Sequence, residues 1–295
     1  MFDPYNLSTL HSPCRSTPLN LAESTVLGQF ERDTAVSRLS DSRWQSEFQR
    51  GWRIGSTMNG GYVLAVIARS LREALPHKDP LSINAFYLAP CKLGPCEIEV
   101  ESLREGRGTS FGSASLYQDG ELKVRATAAY TDTERLQGET WVNSEPPSGP
   151  SFSETAGMSA QHLEIHDRVD MRMIHGQEVF EKGIAPGTGE FVAWLQHRDE
   201  SPCDTIDLTM FADIMPPPPF TLFGPFGWVP TIELTVQCRA KPAPGPILGR
   251  MRSRHLTHSL VESDADLWDS SGTLVALARQ TMKVRLPEGW ETRTA

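Results

Sequence analysis

Two long stretches of the chain alternate apolar and polar residues with the two-residue period of half-buried strands. The first runs from Ser82 to Tyr130 and the second from Thr231 to Val284. In each, a Pro/Gly turn, then a Gly- or His-containing turn, then a tight turn at "QDGE" or "DSSGT" separates four strand candidates, which predicts two antiparallel meanders. The stretches superpose: Ser82-Ile83 falls on Thr231-Ile232, Gly94-Pro95 on Gly245-Pro246, Leu116-Tyr117 on Leu267-Trp268 and Asp119-Gly120 on Ser271-Gly272. The offset drifts only from 149 to 152, so the chain reads as one unit written twice.

A helix candidate precedes each meander. "NGGYVLAVIARSLREAL" places Leu64, Ile67, Leu71 and Leu75 at three- and four-residue spacing, with Val63 and Val66 widening the apolar side toward that of a buried helix. Its counterpart, "DLTMFADIM", has Asp207 as a candidate N-cap and is stopped by the prolines from Pro216 onward. Further strand-like stretches lead into the helices: "TAVSRLSDSRWQSEFQ" in the first copy, "HLEIHDRVDMRMI" and "GEFVAWLQHRD" in the second. The unit is strand, strand, helix, meander, an α+β order in which one helix is wrapped by an antiparallel sheet. The expected boundaries are an N-terminal extension over 1–24, a first unit over 25–135, a Pro/Gly/Ser-rich linker over 136–160 and a second unit over 161–290.

A length of 295 residues agrees with two such units. No apolar run approaches the ~18 residues of a membrane-spanning helix, and the net charge of -9 argues against nucleic acid as a partner. Five cysteines without a regular framework fit free thiols in a reducing compartment. The first residues suggest no signal peptide, and "ETRTA" at the end matches no peroxisomal or retention tripeptide. The cytoplasm is the expected location, with peroxisomes left open.

The segments "GWRIGSTMNGGYVLAVIARS" and "LSINAFYLAPCKLGPCEIEVESLREGRGTSFGSASLYQDGEL" resemble the double-hotdog acyl-CoA thioesterases of the thioesterase II type, over roughly residues 25–290. The resemblance implies a fold of two tandem hotdogs, hydrolysis of an acyl thioester, coenzyme A only as part of the substrate, and pairing of double hotdogs into a homo-oligomer. In that family an Asp on the second helix, a Thr on the following strand and a Gln on the last strand orient the attacking water. The matching positions are Asp213, Thr231 and Gln280. In the first copy the residues at the latter two positions read as Ser82 and Ala128, which implies one active site per chain.

Taken singly, Asp213 is also readable as a helix-end acid and Thr231 as an ordinary strand residue. Gln280 is less ordinary, because an amide on the inward face of an apolar strand needs a partner. As a set, the carboxylate suits a general base, and the hydroxyl and amide suit the aiming of a water. The helix opening at Asn59, Gly60 and Gly61 offers unpaired N–H groups for an oxyanion, although the glycines are equally readable as a packing device. "PPPPFTLFGPFGW" predicts a stiff aromatic wall beside Asp213, with Phe220, Phe223, Phe226 and Trp228.

No GxSxG elbow, phosphate loop, dinucleotide fingerprint or HExxH occurs, and no metal site is expected. His162 and His166 read as solvated strand residues, and His255 and His258 as turn residues. Two alternatives stay open at this point. One is a hotdog repurposed for dehydration or isomerisation of an acyl substrate, and the other is a non-catalytic acyl-binding module.

Overall fold

The computed structural model describes residues 27–158, 163–226 and 228–291. The expected 1–24 extension and His162 lie outside them. The chain opens with α1 (Gln29–Asp33), β1 (Ser37–Arg38), β2 (Arg43–Phe48) and a ribbon of β3 (Arg53–Ile54) and β4 (Thr57–Met58). Then come α2 (Gly60–Ala74), β5 (Asp79–Tyr87), β6 (Gly94–Glu105), β7 (Ser110–Gln118) and β8 (Glu121–Thr131). The second half holds β9 (Val169–His175), α3 (Glu178–Glu181), β10 (Glu190–His197), α4 (Asp207–Phe211), α5 (Pro219–Phe223) and β11 (Thr231–Cys238). It ends with β12 (Ile247–Arg252), β13 (Leu256–Thr257), β14 (Leu260–Trp268) and β15 (Leu274–Lys283).

One antiparallel sheet joins the halves, and its middle is the β5–β11 pair. Outward from β5 the order is β8, β7, β6, β2, β1; outward from β11 it is β15, β14, β12, β10, β9. The two arms therefore have the same topology. Their inner faces enclose α2, in which Tyr62 through Ala68 are all buried, along with Ser70 and Leu71. A helix apolar on nearly every side has to be buried this way, and each fully buried Leu or Ile contributes roughly 1.5–3 kcal/mol.

The second helix is far shorter than the first. α4 has five residues, and Asp213 sits in the turn just beyond it, its N–H bonded to the Met210 carbonyl at 3.0 Å. Asp207 is the first residue of α4 rather than its cap. Asp204 Oδ1 accepts from the N–H groups of Ile206 and Asp207, at 2.6 and 3.2 Å, which leaves the Asp207 side chain to bond elsewhere. The proline run is not extended throughout, because Pro218 and Pro219 open α5, where a missing N–H costs nothing.

β-bulges correct one correspondence between the copies. The register of β5 on β8 slips between Pro80 and Ser82, and that of β11 on β15 slips between Thr231 and Glu233. Matching these bulges places Pro80, not Ser82, opposite the role of Thr231. Ala128 keeps its place as the counterpart of Gln280. The predicted turn at His258 is a two-residue hairpin loop, with His258 and Ser259 both at positive φ. His166 is not on a strand, since Glu164–Asp167 forms a short 3₁₀ turn. The stretch 136–151 has neither helix nor strand, yet it is anchored to the second arm, where the Trp194 indole donates to the Pro150 carbonyl at 2.9 Å.

Candidate active site

A cavity of about 760 Å³ opens between the two halves. Its lining includes Asn59, Gly60, Asp213, Thr231 and Gln280, drawn from the start of α2, the turn after α4, the first residue of β11 and the end of β15. The structure thus brings together five of the residues singled out from sequence. Thr231 Oγ1 donates to Gln280 Oε1 at 2.9 Å, and Gln280 is only 2% exposed. That bond satisfies the amide oxygen and leaves the amide N–H groups to turn toward Asp213, with whose carboxylate Gln280 also interacts.

Asp213 is half-buried at the N-terminus of α2. Its Oδ2 accepts from the Gly61 N–H at 2.8 Å, and Asn59 Nδ2 donates to the Asp213 carbonyl at 3.0 Å. Burial pushes the Asp213 carboxyl up to about 6, against the opposing pull of the Gly61 N–H and Gln280. A carboxyl in that range is ionised at neutral pH and still basic enough to take a proton from water.

The glycine pair divides its work. A Cβ on Gly61 would lie 2.8 Å from the Met210 carbonyl oxygen and 2.9 Å from Met210 Cα, so this glycine lets α2 and α4 touch. A Cβ on Gly60 would lie 2.8 Å from Asp213 Oδ2. The Gly61 N–H is spent on Asp213, and Tyr62 N donates to the Asn59 cap at 2.9 Å. Of the first-turn N–H groups, Gly60's is the one with no protein partner among the described residues. The expected trio of oxyanion donors reduces to that one.

The aromatic wall is thinner than its sequence suggests. Phe220 and Trp228 line the cavity with Pro216 and Pro217, whereas Phe223 and Phe226 stand behind them. Phe226 packs on Val261, Met282 and Val284, and its ring lies 5.9 Å from that of Trp290. Sequence reasoning missed the rest of the lining, including Tyr87, whose hydroxyl donates to the Gly60 carbonyl at 2.8 Å. It also missed six methionines, Met58, Met158, Met171, Met215, Met251 and Met282. Their scatter through the chain gives no local signal.

Outside the cavity lining, His197 Nε2 meets Asp207 Oδ1 at 2.6 Å, with Phe30 and Phe211 against the imidazole. Cys203 is close enough for the three to hold a metal ion, but His197 and Asp207 already satisfy each other. Burial pushes the Asp207 carboxyl up, and the Cys203 thiol as well.

The architecture is the hotdog type of α+β fold. It is similar, with a TM-score of 0.80, to a hotdog protein of unknown function from Alicyclobacillus acidocaldarius, 21% identical over 89% of this chain and all of that one. Family models described as the acyl-CoA thioesterase N-terminal and C-terminal domains match residues 48–131 and 143–284. The chain belongs to the acyl-CoA thioesterase family and is a thioester hydrolase. It is similar to a candidate thioesterase II from Thermobifida fusca YX, 27% identical over 88% of this chain and 98% of that one, with a TM-score of 0.80. An uncharacterised protein of Mycobacterium tuberculosis H37Rv is 22% identical over 268 residues, 82% of this chain and 90% of its own.

Proposed function

We propose that the chain is a double hotdog, its units spanning about 25–135 and 161–290, that hydrolyses acyl-CoA at one site built on Asp213, Thr231 and Gln280. The observation that carries this reading is the convergence of a carboxylate with a raised pKa and a bonded hydroxyl–amide pair on one largely apolar cavity.

Asp213 acts as the general base. Water bound between its free carboxylate oxygen and the Thr231 hydroxyl loses a proton to Asp213 as its oxygen attacks the thioester carbonyl. Gln280, held by Thr231, keeps the carboxylate turned toward that water. The Gly60 N–H, at the positive end of α2, donates to the oxyanion that develops. Collapse of the tetrahedral intermediate expels the thiolate, which takes the proton from Asp213 as it leaves, releases the carboxylic acid and restores the carboxylate base.

A dehydratase of this fold would need a histidine and an acid facing substrate. His197 and Asp207 form a close pair outside the cavity lining, and His166, which does line the cavity, sits on the short Glu164–Asp167 turn and not on a helix or strand that faces Asp213 in the fold; that placement favours hydrolysis.

The test is thiol release from a panel of acyl-CoAs by the native chain and by Asp213→Asn. General-base loss predicts a fall of roughly 10²–10⁴-fold in kcat/KM. Equal rates would remove Asp213 from the mechanism.

A further inference from the structure

The cavity has a buried end and an open end. Met171 and Met251 are buried at one, while Trp228 and Arg285 are exposed at the other, beside the half-exposed Lys283. Asp213 is the sole carboxylate among the described lining residues. Lys283 Nζ reaches only the His258 carbonyl, at 3.3 Å, and neither cation has an ion-pair partner among the described residues. This contrasts with neighbouring arginines, several of which are neutralised, as in Arg250 with Asp266 and Arg279 with Asp264. In a chain of net charge -9, two unneutralised cations at a cavity mouth make a local anion-binding field.

Their spacing from the candidate chemistry is set by one element. Gln280 and Lys283 lie on β15, and the Trp228–Arg285 bridge carries the extended backbone outward. At ~3.3 Å per residue, Arg285 stands about 17 Å along the strand from Gln280. The extended pantetheine arm of coenzyme A separates thioester from phosphates by a comparable length.

We propose that Lys283, Arg285 and Trp228 form the docking site for the phosphorylated nucleotide end of coenzyme A. The cations take the phosphates, Trp228 offers a face to the adenine, and the pantetheine arm lies along the end of β15. The proposal rests on the hydrolase reading of the Asp213 site, and it specifies free coenzyme A as the carrier. A carrier-protein arm brings one phosphate and no adenosine.

The experiment compares three octanoyl thioesters, those of coenzyme A, 3′-dephospho-coenzyme A and N-acetylcysteamine, on the native chain and on the Lys283→Ala/Arg285→Ala double variant. The expected result is a rise of about tenfold or more in KM for octanoyl-CoA with kcat held. The rise should be smaller for the dephospho form and absent for the N-acetylcysteamine thioester. Equal losses on all three, or no loss on octanoyl-CoA, would overturn the site, as would a native preference for octanoyl carrier protein over octanoyl-CoA. Titration with coenzyme A alone reads the site without turnover. If the native chain hydrolyses none of the three esters, coenzyme A binding that the double variant loses upholds the docking site while the hydrolase reading fails; no binding overturns the docking site itself.

Discussion

The two halves of the sheet are topological copies, but the two ends of the paired helices have opposite chemistry. At one end the start of α2 faces Asp213, and Thr231 and Gln280 stand beside a 760 Å³ cavity. At the other the start of α4 faces Arg72 of α2, and the positions equivalent to Thr231 and Gln280 are Pro80 and Ala128. Arg72 Nη1 donates to Asp204 at 2.5 Å and Nη2 to Thr205 Oγ1 at 3.1 Å, while Thr205 donates to Asp79 at 2.7 Å. Burial opposes charge on Asp204, yet a hydrogen bond with Asp207 and the Arg72 guanidinium hold its carboxyl below the usual range. A helix N-terminus attracts an acid in both places. Asp213, with no cation beside it, stays basic enough to take a proton from water, whereas Asp204, paired with Arg72, does not.

That difference is tested most severely at Asp213. With its carboxyl at about 6 in the folded chain, against about 3.9 when unfolded, the ionised group costs up to about 3 kcal/mol, less whatever the cavity screens. The folded state binds this proton more tightly, so its cost is small up to about pH 4, grows as pH rises from about 4 to about 6, and is fully present above. Asp213→Asn should match the native chain in urea midpoint near pH 4 and exceed it at pH 8, while its activity collapses. In the native enzyme, kcat/KM should rise with pH through about 6 and then level off. A flat profile between pH 5 and 7 would exclude Asp213 as the titrating base.

At the Arg72 end the same reasoning gives stability instead of rate. Arg72→Ala strands Asp79 and Asp204 in a largely buried setting, and breaking such a pair typically costs about 3 kcal/mol. The urea midpoint should fall accordingly. The pH at half-maximal kcat/KM, read well below the transition, should not move. A shifted pH profile would mean that the two ends are coupled.

These ends were unequally legible in the sequence. The meanders were readable because their turns keep Gly, Pro and Asp at fixed intervals, and α2 because its apolar spacing spans four turns. Asp213, Thr231 and Gln280 were found by resemblance; nothing local to "FADIM" says that the carboxylate will meet Gly61, 152 residues away. Matching Ser82-Ile83 to Thr231-Ile232 by residue type overlooked the bulges, which shift the correspondence by two residues. Arg72 with Asp204, and His197 with Asp207, left no trace, because pairs formed between separate elements have no periodicity.

The adjacent glycines separate packing from positioning on a smaller scale. Gly61→Ala drives a methyl into the Met210 backbone, which cannot swing aside, and should cost roughly 1–3 kcal/mol of stability. Gly60→Ala comes within 2.8 Å of the Asp213 carboxylate and meets the Tyr87 ring only at 3.4 Å, an ordinary contact. Its stability should change little, but displacing the proposed base by a fraction of an ångström should lower kcat by up to about 10². Denaturation and kinetics on both variants check the division. If Gly60→Ala loses stability and keeps its rate, the contact belongs to packing.

The smallest change concerns why one arm has room for a cavity. Ile98 pairs with Leu116 in the first arm, and Gly249 pairs with Leu267 in the second, so Gly249 is the counterpart of a fully buried isoleucine. A Cβ on Gly249 would fall 2.8 Å from Cε of Met215, a cavity-lining side chain only two residues beyond Asp213. Since the obstructed atom is the tip of a flexible thioether, Gly249→Ala should cost under about 1 kcal/mol, as Met215 swings off the sheet. The displaced tip then takes space from the acyl group. The ratio of kcat/KM for dodecanoyl-CoA to that for butanoyl-CoA should fall about tenfold, and Met215→Ala in the same chain should restore it. An unchanged ratio would mean that the bare strand at Gly249 serves only to seat Met215, and that acyl length is set elsewhere along the methionine-lined wall.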